Sequence, residues 1–405
     1  MQHTKEHRMN GTTKPTLGVA MVGYGFMGAA HSQGWRVAPR FFDLDAEPVL
    51  HTIVGRDASR VEDARAKFGW ENAQTDWRRV IDDPAIDIVD ICSPGDSHAE
   101  IAIAALAAGK HVLCEKPLAN TVEEAERMTE AAERASGDGV RSMVGFSYRR
   151  VPAIAFARQL IGQGRLGEIR QVRAQYLQDW LADENGPMTW RLDKSSAGSG
   201  SLGDIGAHAI DLVEHLTGSQ LTGVSGTLET FVTERPLLRE GVGLSGTASA
   251  ARGQVTVDDA AWFTARLAGG HADRAIGAFE ATRYATGRKN ALRIELSGSR
   301  GALAFDLEAM NELQFYDATA PAGEQGFTRI LVTEPEHPYM AHWWPTGHAI
   351  GYEHAFSHEI ADFVGAITRG TDPEPSFADG LHVQRVLAAV EQSAAAGSAW
   401  TATAP

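Results

Sequence analysis

The chain has 405 residues, of which 43% are apolar and 22% charged, and 37 basic against 52 acidic residues give a formal net charge of −15. These proportions are typical of globular proteins, and a chain of this length is expected to form two domains. The acidic excess argues against nucleic-acid and anionic-membrane partners, because phosphate surfaces repel a net anion.

Targeting signals are not expected in this sequence. No run of about 18 apolar residues predicts a transmembrane helix, and residues 1–15 are polar and read as a flexible extension without a signal-peptide core. The only cysteines, Cys92 and Cys114, fall in predicted buried strands. A disulfide scaffold is therefore excluded, and a cytoplasmic location is favoured.

The first half of the chain alternates strands with helices. Predicted strands cover residues 17–23, 49–54, 87–92, 111–114 and 140–146. Capping boxes that predict helix starts pair Ser59 with Glu62, Ser97 with Glu100, and Thr121 with Glu124. This order predicts a parallel α/β sheet of the Rossmann type over residues 16–147.

From residue 148 onward the pattern is different. Predicted strands cover residues 168–180, 227–232, 259–268, 274–283, 292–299, 301–306 and 312–317, with short turns between most of them. A capping box of Ser376 and Asp379 predicts a helix near the C-terminus, and the alanine-rich tail after Ser393 is expected to fray. Residues 148–405 are therefore expected to form an α+β domain with a mostly antiparallel sheet.

A glycine motif lies between the first strand and the first helix. Gly23 permits a tight turn, Gly25 lets the backbone approach a pyrophosphate, and Gly28 lets the helix pack closely on the strand. Phe26 and Met27 begin the helix, whose N-terminal N–H groups favour phosphate. The segment is predicted to bind a dinucleotide.

The end of the second strand bears on the choice between NAD and NADP. An NAD enzyme usually has an acidic residue there, whereas this chain has Gly55 followed by Arg56, with Arg60 one turn further on. Room beside Gly55 and two arginines favour a 2′-phosphate, hence NADP. NAD remains an alternative cofactor if the strand ends at Asp57. Arg56 and Arg60 can equally be surface charges without a role in cofactor binding.

Three residues predict the chemistry. Lys116 follows the fourth predicted strand, at the edge of the sheet where ligands bind, and Asp204 and His208 are spaced to share a helix face. His208 can take a hydroxyl proton, Lys116 can hold the developing alkoxide, and Asp204 can orient the imidazole. The set suits metal-free alcohol dehydrogenation.

Motifs at residues 23–28, 93–103, 114–119 and 190–212 together resemble the Gfo/Idh/MocA oxidoreductases. The resemblance implies a large open sheet in the second domain, whose face forms a homodimer or homotetramer. It implies that His208 is the acid/base and that Lys116 orients the substrate. Cofactor contacts are implied for a further set of residues: Ser93, Pro94, His98, Glu115, Lys116, Trp190 and Arg191.

Segments at 176–180, 188–191, 234–237, 280–283 and 375–380 resemble one branch of that family, the levoglucosan and pyranoside 3-dehydrogenases. On this resemblance Tyr148, Gln178 and Trp180 line a sugar pocket, although core packing is an equal alternative for Trp180 and Trp190. The chain departs from the pattern in two places. Gly95 replaces an asparagine that is common in relatives, and the acidic residue near position 55 is missing.

A histidine- and tryptophan-rich segment spans residues 337–358. Within it, His354 and His358 have the spacing of a metal pair, but no cysteine or H-E-x-x-H motif accompanies them, so no metal is expected. A loop that covers the sugar pocket or joins subunits is the favoured interpretation, and a structural histidine on a helix near Tyr352 is the default.

The leading hypothesis is an NAD(P)-dependent dehydrogenase that oxidises a secondary ring hydroxyl of a sugar or polyol, with C3 of a pyranoside or anhydrosugar first. The alternatives are a glycosidase that uses NAD for transient C3 oxidation, an inositol dehydrogenase, and a non-catalytic sugar-responsive binding protein. The intact set of Lys116, Asp204 and His208 disfavours the last of these.

Overall fold

The computed structural model of the chain describes residues 14–242 and 245–403. All but two residues of the predicted N-terminal extension therefore lie outside the described part. Within it, the chain forms a six-stranded parallel sheet followed by a nine-stranded mixed sheet and a separate hairpin. No helix of the described ranges is long and apolar enough to cross a membrane.

The first sheet has the strand order β3-β2-β1-β4-β5-β6, and all its pairs are parallel. Its strands are β1 (Thr16–Val22), β2 (Glu47–Val54), β3 (Asn72–Gln74), β4 (Ile88–Ile91), β5 (His111–Cys114) and β6 (Ser142–Val144). Its helices are α1 (Phe26–Phe41), α2 (Ala58–Phe68), α3 (Arg78–Ile81), α4 (His98–Ala107) and α5 (Val122–Ser136). This order confirms the Rossmann prediction, and it places a ligand crevice at the carboxyl ends of β1 and β4.

Two of the predicted capping boxes are wrong. The N-cap of α2 is Asp57, whose Oδ1 accepts from the Arg60 N–H, so the helix begins before Ser59. Ser97 precedes α4, but its hydroxyl donates to the Pro94 carbonyl and caps nothing. At α5 the predicted cap forms, since the Thr121 hydroxyl accepts from the Glu124 N–H. Side-chain chemistry alone does not decide between neighbouring capping residues.

The second sheet has the order β16-β15-β14-β13-β7-β12-β11-β8-β17, and only the β7–β12 pair is parallel. Its strands are β7 (Ile169–Leu177), β8 (Gln220–Glu229), β11 (Ala260–Ala268), β12 (Ile276–Thr282), β13 (Ala291–Gly298), β14 (Gly301–Asp306), β15 (Glu312–Asp317), β16 (Thr328–Leu331) and β17 (Thr401–Ala402). The separate hairpin pairs β9 (Glu234–Val242) with β10 (Ser245–Gln254). The mostly antiparallel prediction is thus confirmed.

Five helices of the second half of the chain pack on this sheet or on the first domain. They are α6 (Pro152–Gly162), α7 (Lys194–Ala197), α8 (Ala207–Thr217), α9 (Tyr352–Arg369) and α10 (Phe377–Ala395). α9 packs on α1, and α10 packs on α5 and β8. Ser376 and Asp379 form the predicted reciprocal cap of α10. The prediction that the tail frays is wrong, because β17 pairs with β8.

The histidine-rich segment packs against the end of α1. The Trp343 ring lies 4.5 Å from Phe41, and the His342 ring lies 4.4 Å from Phe42. Buried His358 uses both ring nitrogens, because Nε2 accepts from the Trp343 indole and Nδ1 lies 2.8 Å from the Arg150 carbonyl. His358 therefore has the structural role that was the default interpretation, and both of its ring nitrogens are already engaged within the protein.

Candidate active site

The glycine loop after β1 has the geometry that a dinucleotide needs. Gly23 has φ +110°, and a Cβ there would lie 2.6 Å from the Cys92 carbonyl oxygen. A Cβ on Gly28 would lie 2.2 Å from the Gly23 oxygen, whereas nothing lies within 4 Å of a Cβ on Gly25. The backbone at Gly25, the N-cap of α1, is thus open to a phosphate, and the loop fits the group.

The two residues that begin α1 border this opening. Phe26 is 56% exposed, and its ring stacks on Tyr352 at 6.1 Å. Met27 is half-buried. An exposed aromatic ring at a helix N-terminus offers an apolar wall beside the phosphate-binding turn.

The space expected beside Gly55 is filled by a side chain. A Cβ on Gly55 would lie 1.8 Å from Cε1 of Tyr24, so the Tyr24 ring lies directly on this glycine. Arg56 and Arg60 are exposed, and Asp57 is engaged as the cap of α2. Gly55 therefore accommodates Tyr24 in this structure instead of leaving a pocket.

His98 and Glu115 were expected to contact the cofactor, but their side chains are buried within the protein. Both ring nitrogens of buried His98 lie near backbone carbonyls, Nε2 at 2.9 Å from that of Ser93 and Nδ1 at 3.1 Å from that of Pro117. Buried Glu115 lies 3.0 Å from His31 Nε2 through Oε1 and accepts the Lys116 N–H through Oε2. These side chains hold the loops after β4 and β5, in which Ser93 and Pro94 are half-buried.

Lys116 and Asp204 meet across the two domains. Lys116 Nζ donates to the Asp204 carbonyl oxygen and lies 3.5 Å from the carboxylate oxygen Oδ1. Asp204 lies in a π-helical turn, Leu202–Gly206, that leads into α8. Such turns frequently occur at functional sites. Burial raises the pKa of Asp204, but the charges of Lys116, Arg283 and Arg191 outweigh burial and lower it.

His208, on the first turn of α8, lies within an aromatic cage. Its ring centroid is 4.6 Å from that of Tyr148, 5.8 Å from Phe146 and 5.9 Å from Tyr176. Burial and the charge of Lys116 hold the pKa of His208 well below its usual value, so the imidazole is neutral at pH 7. Among the described residues, the Asp204 carboxylate pairs with Lys116 and Arg283 and not with His208. The expected orienting bond from Asp204 to His208 is therefore wrong.

A chain of hydrogen bonds begins at Tyr148, whose ring packs against that of His208. The Tyr148 and Tyr176 hydroxyls lie 2.9 Å apart, and Tyr176 donates to Oδ1 of Asn290. Gln178 Nε2 donates to the same oxygen at 2.8 Å, and the Trp180 indole donates to Gln178 Oε1 at 2.9 Å. The three residues that the resemblance assigned to a sugar pocket thus belong to one polar network.

Trp190 and Arg191 form a stacked pair. The Arg191 guanidinium lies 4.3 Å from the Trp190 ring centroid, and the Trp190 side chain is 39% exposed. Burial lowers the pKa of Arg191, while the nearby Asp204 carboxylate raises it. This pair therefore borders the Lys116–Asp204 site and presents an aromatic surface to solvent.

Several residues of the site were not predicted from sequence. Asn290 lies just before β13, Arg283 lies just after β12, and Tyr176 lies on β7. The sequence carried a weak signal for Tyr176 and Arg283, which belong to the segments 176–180 and 280–283, and none for Asn290. These residues meet only because strands that are far apart in the sequence pair in the sheet. Gln178 and Asn290, for example, are 112 positions apart.

Comparisons with family models cover both domains. Residues 17–146 match the oxidoreductase family with NAD-binding Rossmann fold. Residues 154–304 match the GFO/IDH/MocA C-terminal domain.

Individual relatives match almost the whole chain. Levoglucosan dehydrogenase of Pseudarthrobacter phenanthrenivorans is 43% identical over 384 residues, 94% of this chain and 96% of that protein. A solved oxidoreductase domain protein from Kribbella flavida is 60% identical with a TM-score of 0.91, covering 96% of this chain and 100% of its own. Levoglucosan dehydrogenase in complex with NADH and levoglucosan is 41% identical with a TM-score of 0.89, covering 96% of this chain and 100% of its own.

Proposed function

We propose, because this chain belongs to the Gfo/Idh/MocA family of oxidoreductases, that it oxidises a secondary ring hydroxyl of a sugar, at C3 of a pyranoside or anhydrosugar. The chain is an NAD-dependent sugar or polyol dehydrogenase. The observation that carries the finer proposal is the convergence of Lys116, Asp204 and His208 with the polar network that ends at Gln178 and Trp180.

His208 acts as the base in this proposal. When bound, the nicotinamide cofactor supplies the hydride acceptor. His208 is neutral at pH 7 because burial and Lys116 lower its pKa, so a ring nitrogen can accept the substrate hydroxyl proton. The Tyr148 ring packs against the imidazole at 4.6 Å, tilted by 42°, and limits its rotation.

Lys116 holds the reacting oxygen. The Lys116 side chain is 12% exposed, and its ammonium group lies 3.5 Å from the Asp204 carboxylate. A positive charge there stabilises the alkoxide that forms as the proton leaves. Asp204 thus acts on Lys116, and not on His208 as its spacing suggested.

The polar network supports a ring substrate. Gln178 offers amide groups that can pair with vicinal hydroxyls, and the Trp180 ring suits the apolar face of a sugar. The 43% identical relative is named for levoglucosan, an anhydropyranose, and this supports an anhydrosugar as the first substrate to test.

We infer NAD⁺ as the cofactor used. The ring of Tyr24 covers Gly55, where a 2′-phosphate would need room, and Arg56 and Arg60 point to solvent. The 41% identical relative was solved with NADH. Initial rates with NAD⁺ and NADP⁺ at equal concentration test this choice, and a preference for NADP⁺ would contradict it.

We further propose residues 16–147 and 148–405 as the two domains, and a homodimer or homotetramer that forms through the second sheet. One face of that sheet exposes large apolar side chains, such as Trp262 at 41% and Ile276 at 49%. Free thiols at Cys92 and Cys114 support the cytoplasm as the compartment. Sedimentation tests the assembly, and a monomer at all concentrations would contradict it.

The function is tested by following nicotinamide absorbance with levoglucosan, other pyranosides and myo-inositol, and by locating the new carbonyl by NMR. Lys116→Ala and His208→Ala should bind NADH like the wild type but lose turnover, whereas His271→Ala, at an exposed position, should not change it. Near-wild-type turnover in Lys116→Ala or His208→Ala would contradict the role assigned to that residue. Cleavage of a glycoside into free sugar and aglycone without build-up of NADH would favour the glycosidase alternative.

A further inference from the structure

Arg283 follows β12 and lies behind the proposed site. Its side chain is fully buried, although an arginine is rarely buried without a specific partner. One side of the guanidinium faces Asp204 and the other faces Asp258. The role of this buried charge therefore depends on its contacts with Asp204 and Asp258.

The contacts of Arg283 concern the turn that carries Asp204. Nη1 lies 3.6 Å from Asp204 Oδ2, and Nη2 donates to the Asp258 carbonyl at 3.0 Å. The Asp258 carboxylate in turn accepts the N–H groups of Gly200 and Leu202, at the start of the π-helical turn. Arg283 thus contacts both the Asp204 carboxylate and the residue that fixes its backbone.

The carboxylate of Asp204 is divided between two cations. Oδ1 faces Lys116 Nζ at 3.5 Å, and Oδ2 faces Arg283 Nη1 at 3.6 Å. The other ionisable groups that face it are Arg191, His208 and Tyr176. Arg283 Nε and Nη1 have no hydrogen-bond partner in the part of the chain that the structure describes, so their interaction with the site is chiefly electrostatic.

We propose that Arg283 is a positioning residue of the reaction, whose buried charge holds Asp204 ionised and turned so that its other oxygen pairs with Lys116. The inference rests on the proposed function, because it assumes that the Lys116–Asp204 pair acts in catalysis. Trp180 lies 5.5 Å from the guanidinium, so the same charge also borders the proposed sugar pocket.

The test replaces the charge and keeps the size. Arg283→Gln can still donate to the Asp258 carbonyl but carries no charge, and Arg283→Lys keeps the charge. We expect Arg283→Gln to lower kcat at least tenfold with little change in NADH affinity. In infrared titrations of ¹³C-aspartate-labelled protein, the pKa of the Asp204 carboxylate should move up by about 1 to 3 units in Arg283→Gln, the usual effect of losing a neighbouring opposite charge. Arg283→Lys should bring this titration back toward the wild type.

Arg235→Met is the matched control. Arg235 is equally buried, but its guanidinium donates to the carbonyls of Leu181 and Asp183. Arg235→Met should lower the unfolding temperature without moving the titration of the Asp204 carboxylate. If Arg283→Gln also leaves that titration in place and changes stability alone, Arg283 is structural and the inference is overturned.

A measurement on the wild type does not depend on folding of any Arg283 variant. In ¹³C-aspartate infrared spectra, the carboxylate signal that Asp204→Asn removes should stay ionised to below the usual pKa of 3.8. Protonation of this group above pH 5 would overturn the inference. Failure of the proposed function is distinct, since it would show as no sugar oxidation by the wild type.

Discussion

At the scale of single residues, Asn290 shows how one side chain can organise a pocket. Its Oδ1 accepts hydrogen bonds from the Tyr176 hydroxyl and from Gln178 Nε2, at 2.7 and 2.8 Å. The Tyr176 hydroxyl also lies within hydrogen-bond distance of the Tyr148 hydroxyl, and the Tyr148 ring packs against that of His208. The amide of Asn290 therefore links the proposed base to the proposed sugar-binding residues.

Replacing Asn290 by alanine should weaken substrate binding. A partner lost from a buried polar group costs about 1–3 kcal/mol. We expect the KM for the sugar to rise about tenfold or more in Asn290→Ala, while the Kd for NADH stays within about twofold, since each 1.4 kcal/mol is a factor of ten. Steady-state kinetics and a fluorescence titration of NADH measure the two effects.

Asn72→Ala serves as the control, because Asn72 is exposed and bonds only to the His51 carbonyl among its described contacts. Equal KM values in Asn290→Ala and the wild type would show that the network does not bind substrate.

Sequence reasoning reached those residues whose role depends on local position. Lys116 follows a buried strand of a parallel sheet, and the edge where such strands end is where ligands bind. Asn290 and Arg283 carry no such local signal, because they meet the site only through the register of β7, β12 and β13. The spacing of Asp204 and His208 suggested a hydrogen bond between them. In the structure the Asp204 carboxylate pairs with Lys116 and Arg283 instead.

At the scale of elements, the junction of β2 with the glycine loop is tightly packed. The Tyr24 ring lies over Gly55, and no positive φ at Gly55 forbids a larger residue there. The three atoms nearest to a Cβ on Gly55 all belong to Tyr24, so the Tyr24 ring is the main constraint on this position.

This predicts a specific rescue. Gly55→Ala should displace the Tyr24 ring and cost about 1–3 kcal/mol of unfolding free energy, as overpacking usually does. In the Tyr24→Ala background the same change should cost almost nothing. Chemical unfolding of the wild type, both single variants and the double variant gives the coupling energy directly.

Gly162→Ala provides a matched glycine-to-alanine control, because nothing lies within 4 Å of a Cβ there and its φ is not positive. Equal costs of Gly55→Ala in the two backgrounds would show that Tyr24 is not the obstacle.

Element prediction succeeded where hydrophobic patterns are strong and failed where they are weak. β3 is a short polar strand, Asn72–Gln74, which was not predicted, and its pairing with β2 provides its stability. The hairpin of β9 and β10 was missed for a similar reason, since its strands contain Pro, Gly, Ala and Ser. β17 forms only because α10 returns the chain to β8.

At the scale of the whole molecule, α9 ties the C-terminal part to the first domain. Arg150, in the segment between the two sheets, donates to the Asp362 carboxylate and to the Glu374 carbonyl. Its Nη1 lies 3.7 Å from Glu359, which is fully buried on α9. Neither oxygen of Glu359 has a hydrogen-bond partner among the described residues. This junction therefore contains a carboxyl group that is costly to ionise.

The pH dependence of stability should reveal that cost. Burial raises the pKa of Glu359 to about 8, against the opposing charge of Arg150, from an ordinary value of 4.5. Between these two values the folded state binds more protons than the unfolded state, so stability falls as pH rises. One such group contributes a loss of about 1.4 kcal/mol per pH unit. Below pH 4.5 and above pH 8 its contribution should be flat.

Glu359→Gln removes this group and keeps its shape, so the variant should gain on the wild type steadily from pH 5 to pH 8. Urea unfolding at one-unit pH intervals measures the difference, which cancels the other titrating groups common to both proteins. Glu336→Gln, at an exposed position, should show no such pH-dependent gain. A constant difference between Glu359→Gln and the wild type across this range would mean that Arg150 keeps Glu359 ionised in the folded protein. The junction would then be held by a buried ion pair instead of a neutral carboxylic acid.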